Sequence, residues 1–208
     1  MIRNRRGAEL STDQRAVKLP HPDDRLAGEE HAAARERFLA RPVALVGFMG
    51  AGKTSVGREL AVLCGRPFVD TDQLVEERAG RTIPELFAEG EPVFRALERE
   101  AVTTALAPPA HVIALGGGAF SQPGIAELLL ERALVVHLYT PWSVVLGLLG
   151  ELGTDRPLTR DREPWQVQEL YLARCASYRR AHVRVCPSRE GPARAAASIA
   201  AVLGYRML

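Results

Sequence analysis

Lysine is almost missing from this 208-residue chain: only Lys18 and Lys53 accompany 25 arginines. Arginine in such excess invites a nucleic-acid surface. Yet 25 acidic residues are interleaved with it, no run of five like charges forms, and the formal net charge is only +2. Nucleic-acid binding is therefore not expected, and an Ala- and Arg-rich coding bias accounts for the composition. Cysteine is scarce too. Cys64, Cys175 and Cys186 are too few and too scattered for a disulfide framework or a zinc site, and His21, His31, His111, His137 and His182 show no ligand spacing. Three free thiols suit a reducing compartment. No segment reaches the ~18 uninterrupted apolar residues of a membrane span; Ile125 to Tyr139 comes nearest, and Glu131 with Arg132 breaks it. The N-terminus lacks the apolar core of a signal peptide. It is Arg-rich, but seven acidic residues before position 40 argue against an organelle transit peptide. A cytoplasmic protein with no membrane partner is expected.

The length suits one domain with a full core. Residues 1–40 stand apart, with scattered charges, Pro20, Pro22 and almost no aliphatic clustering, which reads as a flexible charged arm. Within it, Glu29 to Leu39 has the composition of a short helix. From Pro42 the pattern changes. The apolar runs Val43–Val46, Phe68–Asp70, Val112–Leu115, Leu134–Leu138 and Val183–Val185 alternate with helical stretches such as Lys53–Cys64, Val93–Leu106 and Glu163–Arg180. Alternating strands and helices predict an α/β fold with a parallel sheet covered on both faces, and nearly unbroken apolar strands fit burial on both sides.

Gly47-Phe48-Met49-Gly50-Ala51-Gly52-Lys53-Thr54 fills the pattern G-x-x-x-x-G-K-[ST], with an apolar strand before it and a helix after it. Glycines let the backbone turn tightly and present successive N–H groups to phosphate oxygens, and the helix start adds its positive dipole end. Lys53 is placed to supply charge to the β- and γ-phosphates and Thr54 to hold Mg²⁺. Such a loop implies a nucleoside triphosphate without naming the acceptor, since GTPases, motors and kinases all use it.

The next strand ends in Phe68-Val69-Asp70-Thr71-Asp72. Two carboxylates at i and i+2 of a strand point the same way, near the strand end where open α/β sheets bind ligands. They suit a metal-orienting and a hydroxyl-accepting role; they equally suit capping of a helix beginning near Gln73. Gly90-Glu91-Pro92-Val93-Phe94-Arg95-Ala96-Leu97-Glu98 places Arg95 and Glu98 one helical turn apart, and Gly116-Gly117-Gly118 after the third strand permits close ligand approach. Arg156-Pro157-Leu158 follows in a polar loop, and Arg174 shares a helix face with Tyr178. On their own, Arg95, Glu98 and Arg174 are equally readable as surface pairs.

Together these stretches resemble shikimate kinase, a family of P-loop small-molecule kinases, from about Val43 to Leu203. The resemblance rests on GFMGAGKTSVGRELA, FVDTDQLVEERAGRTIPELFAEGEPVFRALERE, VIALGGGAFSQPGI, DRPL and LARCASYRRAH. It implies a three-layer P-loop kinase domain over 41–208. That domain would hold a five-stranded parallel sheet, an acceptor-binding subdomain at about 71–107 and a mobile lid at about 151–164. By the same resemblance Gly50, Ala51, Gly52, Lys53, Thr54 and Ser55 hold the nucleotide. Thr54 and Asp70 serve Mg²⁺, the expected cofactor. Asp72 holds ring hydroxyls and acts as base. Arg95 and Arg174 grip the shikimate carboxylate, Glu98 holds Arg95, and Gly116, Gly117 and Gly118 line the ring. Arg156 closes from the lid. The implied protein is a monomer taking ATP and shikimate.

Three positions depart from the family pattern. The helix before the lid, Trp142 to Glu151, has no basic residue to stack on adenine, and Trp142 is expected in the core. Arg174-Cys175-Ala176-Ser177-Tyr178 has lost the proline that the family carries between this Arg and this Tyr. Val185-Cys186-Pro187 replaces Val-Asp-Thr, leaving Arg189 and Pro192 as the expected adenine contacts. A same-fold kinase for another hydroxylated acid or cyclitol, and a ligand-sensing module of low turnover, are the alternatives.

Overall fold

The computed structural model describes residues 36, 40–151, 163–187 and 191–205. The lid segment 152–162 with Arg156, the residue Arg189, and nearly all of the arm lie outside them. Strands β1 (Val43–Val46), β2 (Phe68–Asp70), β3 (Val112–Ala114), β4 (Leu134–Leu138) and β5 (Val183–Val185) form one sheet in the order β2-β3-β1-β4-β5. Every pairing is parallel, with Val43 opposite both Val112 and Leu134. Helices α1 (Lys53–Cys64), α2 (Thr71–Ala79), α3 (Ile83–Glu89), α4 (Glu91–Ala105), α5 (Ile125–Arg132), α6 (Trp142–Glu151), α7 (Pro164–Tyr178) and α8 (Pro192–Val202) surround it, with a 3₁₀ turn at Ala119–Ser121.

The two-residue alternation of the strands distributes their side chains between two cores. Val43, Leu45, Val112, Leu134, Val136 and Leu138 face α1 and α8, where Val56, Leu60 and Ala61 meet Ala195, Ala196, Ile199 and Ala200. Ala44, Val46, Ile113 and Val135 face the opposite layer and join Phe48, Val102, Phe120, Leu129, Tyr171 and Tyr178. A third, smaller core of Val75, Leu86, Phe94 and Ala101 lies within α2, α3 and α4. Those three helices pack on one another and so form a partly independent wall beside the strand ends.

Element boundaries follow local chemistry. Helix α1 ends at Gly65, whose φ of 61° lets Arg66 N–H reach back to the Ala61 carbonyl, and Pro67 then blocks continuation. Helix α4 begins two residues before the expected Val93, because Pro92 is tolerated in a first turn whose N–H groups have no partner within the helix. Helix α7 likewise starts at Pro164, and it stops at Tyr178. Trp142 is half-buried against Tyr171, with ring centroids 5.4 Å apart, so it packs as expected. Among the described residues no helix is long and apolar enough to cross a membrane.

Ile113 is fully buried at the centre of β3, immediately below the site loop. Ile113→Ala should cost about 2–5 kcal/mol of unfolding free energy. Urea denaturation reads this directly, and a loss of less than 1 kcal/mol would contradict the two-sided burial.

Candidate active site

The C-terminal ends of β1, β2 and β3 lie side by side, and the loops leaving them carry the chemistry. After β1 the loop turns at Gly50 and Gly52, with φ of 77° and 78°, values that glycine adopts without strain. A side chain on Gly50 would meet the Leu148 methyl at 2.8 Å, so α6 lies directly against the loop. Ala51 is buried, and Ser55 is exposed in the first turn of α1. Lys53 folds over its own loop and donates to the carbonyls of Gly47 at 3.0 Å and Phe48 at 3.3 Å. The Thr54 hydroxyl donates to Asp70 Oδ2 at 2.7 Å.

Asp70 also accepts at Oδ1 from the Asp72 N–H at 3.0 Å and so caps α2. This corrects the expected geometry of the carboxylate pair. Only Asp70 belongs to a strand; Asp72 lies in the first turn of α2, which opens at Thr71 and not near Gln73. The capping reading holds for Asp70 alone. Asp72 is instead turned toward the loop after β3.

That loop is the triple glycine. A methyl group on Gly116 would lie 2.4 Å from Asp72 Oδ1 and 2.6 Å from Glu98 Oε1. On Gly117 it would lie 3.2 Å from Arg174 Nη1, and on Gly118 2.8 Å from Arg95 Nη1. The Gly116 N–H donates to the Thr71 hydroxyl at 2.9 Å, and the Tyr178 hydroxyl donates to the Gly117 carbonyl at 2.6 Å. Helices α2 and α7 thus pin the loop from both sides. The absent side chains leave the room in which four charged groups sit.

Glu98, 1% exposed, anchors Arg95 through a 2.6 Å ion pair to Nη1 and accepts from Gln122. Arg95 lies over the Phe94 ring at 5.2 Å, and Phe94 stacks on Phe87 at 4.6 Å. Arg174 is buried at 5% exposure, with the Phe48 ring 5.7 Å away. The surface-pair reading of these residues is therefore set aside. Helix α7 runs unbroken through Ala176, where the family pattern has proline, and still delivers Arg174 and Tyr178 to the glycine loop.

A cavity of about 300 Å³ is lined by Lys53, Asp72, Arg95, Glu98, Gly117, Gly118 and Arg174, with Met49, Ile83, Pro84, Phe87 and Phe94 as its apolar wall. Most of the expected acceptor residues thus meet in one place. Pro192 lies elsewhere, exposed at the first turn of α8. The sequence did not single out Phe87, Gln122 or Glu76, which also lines the cavity. No spacing signalled the aromatic wall, because Phe87 and Phe94 lie on different helices separated at Gly90.

The family model for shikimate kinase matches residues 49–203. The chain belongs to the shikimate kinase family. A shikimate kinase of Caulobacter vibrioides is 44% identical over 148 residues, covering 70% of this chain and 74% of the relative. One from Symbiobacterium thermophilum is 44% identical over 152 residues, covering 71% and 87%. Among solved structures, a shikimate kinase from Acinetobacter baumannii in complex with shikimate superposes with a TM-score of 0.74 at 36% identity, covering 84% of this chain and 99% of that one.

Set against a shikimate kinase's chemistry, the cavity is polarised. Burial, then Asp70 and Glu98, push the Asp72 carboxyl up to about 6, with Lys53 opposing. Burial likewise raises Glu98 against the pull of Arg95. A raised carboxyl binds its proton more tightly folded than unfolded, so stability falls as pH climbs from about 4 to about 6 and stays lower above that window. Roughly two pH units correspond to about 3 kcal/mol. In the nucleotide-free protein, Asp72→Asn should therefore raise stability at pH 7–8 by up to about 3 kcal/mol, with the gain vanishing below pH 4. Thermal melts across pH test this, and a variant less stable than wild type at pH 8 would contradict it.

Proposed function

We propose that the protein transfers the γ-phosphoryl group of ATP to the 3-hydroxyl of shikimate, giving shikimate 3-phosphate and ADP. The observation that carries this reading is the polarity of the cavity: Asp72 at one end, Arg95 and Arg174 at the other, and Lys53 of the phosphate loop beside Asp72. A hydroxylated carboxylate fits that arrangement, and a neutral polyol offers the two guanidinium groups no charge to bind.

In the proposed reaction the acceptor oxygen attacks the γ-phosphorus in line as the bond to the β-phosphate bridging oxygen breaks. The hydroxyl proton passes to Asp72, whose raised proton affinity suits it as a base near neutral pH. Lys53 leaves its loop carbonyls for the β- and γ-phosphates. Gly50, Ala51, Gly52, Thr54 and Ser55 complete the phosphate cradle at the start of α1. Arg95 and Arg174 take the carboxylate, each guanidinium offering a planar fork of donors. Glu98 fixes the plane of Arg95, and Gly116, Gly117 and Gly118 bring bare backbone to the ring.

Thr54 and Asp70 fit Mg²⁺: a hydroxyl and a carboxylate 2.7 Å apart are hard oxygen donors, and this ion takes few protein ligands. When bound with the nucleotide, it would neutralise phosphate charge. Residues 71–107 would act as the acceptor-binding subdomain, an assignment supported by the separate core of α2, α3 and α4. Arg156, from a lid spanning about 151–164, would close over the transferring group and exclude water. Arg189 and Pro192 would meet adenine, and residues 1–40 would form an arm outside the catalytic domain. Free Cys64, Cys175 and Cys186 suit a cytoplasmic monomer.

The test is an acceptor panel with ATP and Mg²⁺. Shikimate should be phosphorylated, with quinate, gluconate and inositol far slower. Arg95→Ala should then raise KM for shikimate more than tenfold, in line with the roughly 2–5 kcal/mol cost of leaving a buried charge unpaired, with little change in KM for ATP. Equal rises in both KM values, or gluconate as the preferred acceptor, would overturn the reading.

A further inference from the structure

Arg95 is held by two carboxylates of very different freedom. Its Nη1 edge meets Glu98, which is 1% exposed and also bound by Gln122. Its other edge meets Glu91, whose Oε1 accepts from Nε at 3.0 Å and from Nη2 at 2.8 Å. Glu91 is 60% exposed. The Nε–Nη2 edge is the one a guanidinium offers most readily to a planar carboxylate. So one whole edge of Arg95 able to form a two-point contact with a carboxylate is already covered by a carboxylate of the protein.

The two partners differ in how easily they leave. Releasing Glu98 would strand a buried charge, which is costly. Releasing Glu91 returns an exposed side chain to water, and exposed pairs at this spacing contribute little. Its charge remains favourable at the first residue of α4, because anionic side chains suit a helix N-terminus. There is also somewhere for it to go. Glu91 already borders a second, more open groove, which shares Arg95, Gly118 and Arg174 with the acceptor cavity and is also lined by Ser121 and Gln122, so its carboxylate can turn off Arg95 without crossing that cavity.

We infer that Glu91 is an internal competitor for the acceptor carboxylate: it occupies the Nε–Nη2 edge of Arg95 in the empty site and turns off the guanidinium, within the groove it borders, when the acceptor binds. This rests on the reading that Arg95 receives that carboxylate. Glu91 keeps the guanidinium paired and correctly turned between turnovers, at the expense of acceptor affinity. It is a positioning residue whose release is part of acceptor binding.

The experiment compares wild type, Glu91→Gln, Glu91→Asp and Arg95→Lys by steady-state kinetics, varying shikimate and ATP in turn at two ionic strengths. Glu91→Gln should lower KM for shikimate by about two- to fivefold, the span open to an exposed ion pair, without lowering KM for ATP. Glu91→Asp keeps the helix-terminal charge but shortens the reach, and should lower the same KM. Added salt weakens both the internal and the acceptor contacts in wild type but only the latter in Glu91→Gln, so KM should rise more steeply with salt in that variant. An unchanged or raised KM for shikimate in Glu91→Gln, with Arg95→Lys still raising it, would overturn the competition alone. Should Arg95→Lys leave KM for shikimate unaltered, the carboxylate role of Arg95 falls, and the competition with it.

Discussion

Three consecutive residues without side chains govern this site. At Gly116, Gly117 and Gly118 the places where Cβ atoms would sit border Asp72 and Glu98, then Arg174, then Arg95. No other residue type leaves that room, and the loop is short enough to set acidic groups against one end and guanidinium groups against the other. The division of charge along the loop sets the Asp72 carboxylate at one end of the cavity and the Arg95 and Arg174 guanidinium groups at the other. The flanking helices serve it: α2 supplies Asp72 and the Thr71 hydroxyl, α4 supplies Arg95 and Glu98, and α7 supplies Arg174 and the Tyr178 hydroxyl.

Such concentration of charge is not favourable for the fold. Glu98 and Arg174 are buried in a setting that a hydrophobic pair would fill at least as stably, and Glu98 Oε1 has no hydrogen-bond partner among the described residues. Burial first, and then the carboxylates of Asp70 and Glu98, press Asp72 toward its protonated form. Stability comes from elsewhere, from the two apolar layers on the sheet and from the α1–α8 contact. This division between a stable scaffold and a strained, charge-rich strand end is common where binding must be prepared in advance.

The sequence carried the scaffold well because its signals are local. The five short, nearly unbroken apolar runs gave the strands almost to the residue, and the phosphate loop announced itself by spacing. The acceptor side was legible mainly as a pattern of family motifs, and its geometry was not. Asp70 and Asp72 looked like strand neighbours because i and i+2 share a face only in an extended chain, whereas Asp70 caps a helix that begins one residue later. Gln122 reaches Glu98 across 24 residues of chain, and the Phe87 ring meets Phe94 only because α3 and α4 fold back on each other. Contacts of that kind depend on tertiary packing, which no local periodicity encodes.

The proposed acceptor specificity depends on a carboxylate being recognised by Arg95 and Arg174. Calorimetric binding of shikimate and of its carboxamide to the wild-type protein addresses this most directly, since the two ligands share the ring and every hydroxyl. The amide should bind about ten- to a hundredfold more weakly, the loss expected when charge-assisted hydrogen bonds become neutral ones. Equal affinities would mean that the guanidinium groups do not read the acid, and the polarity of the cavity would need another explanation.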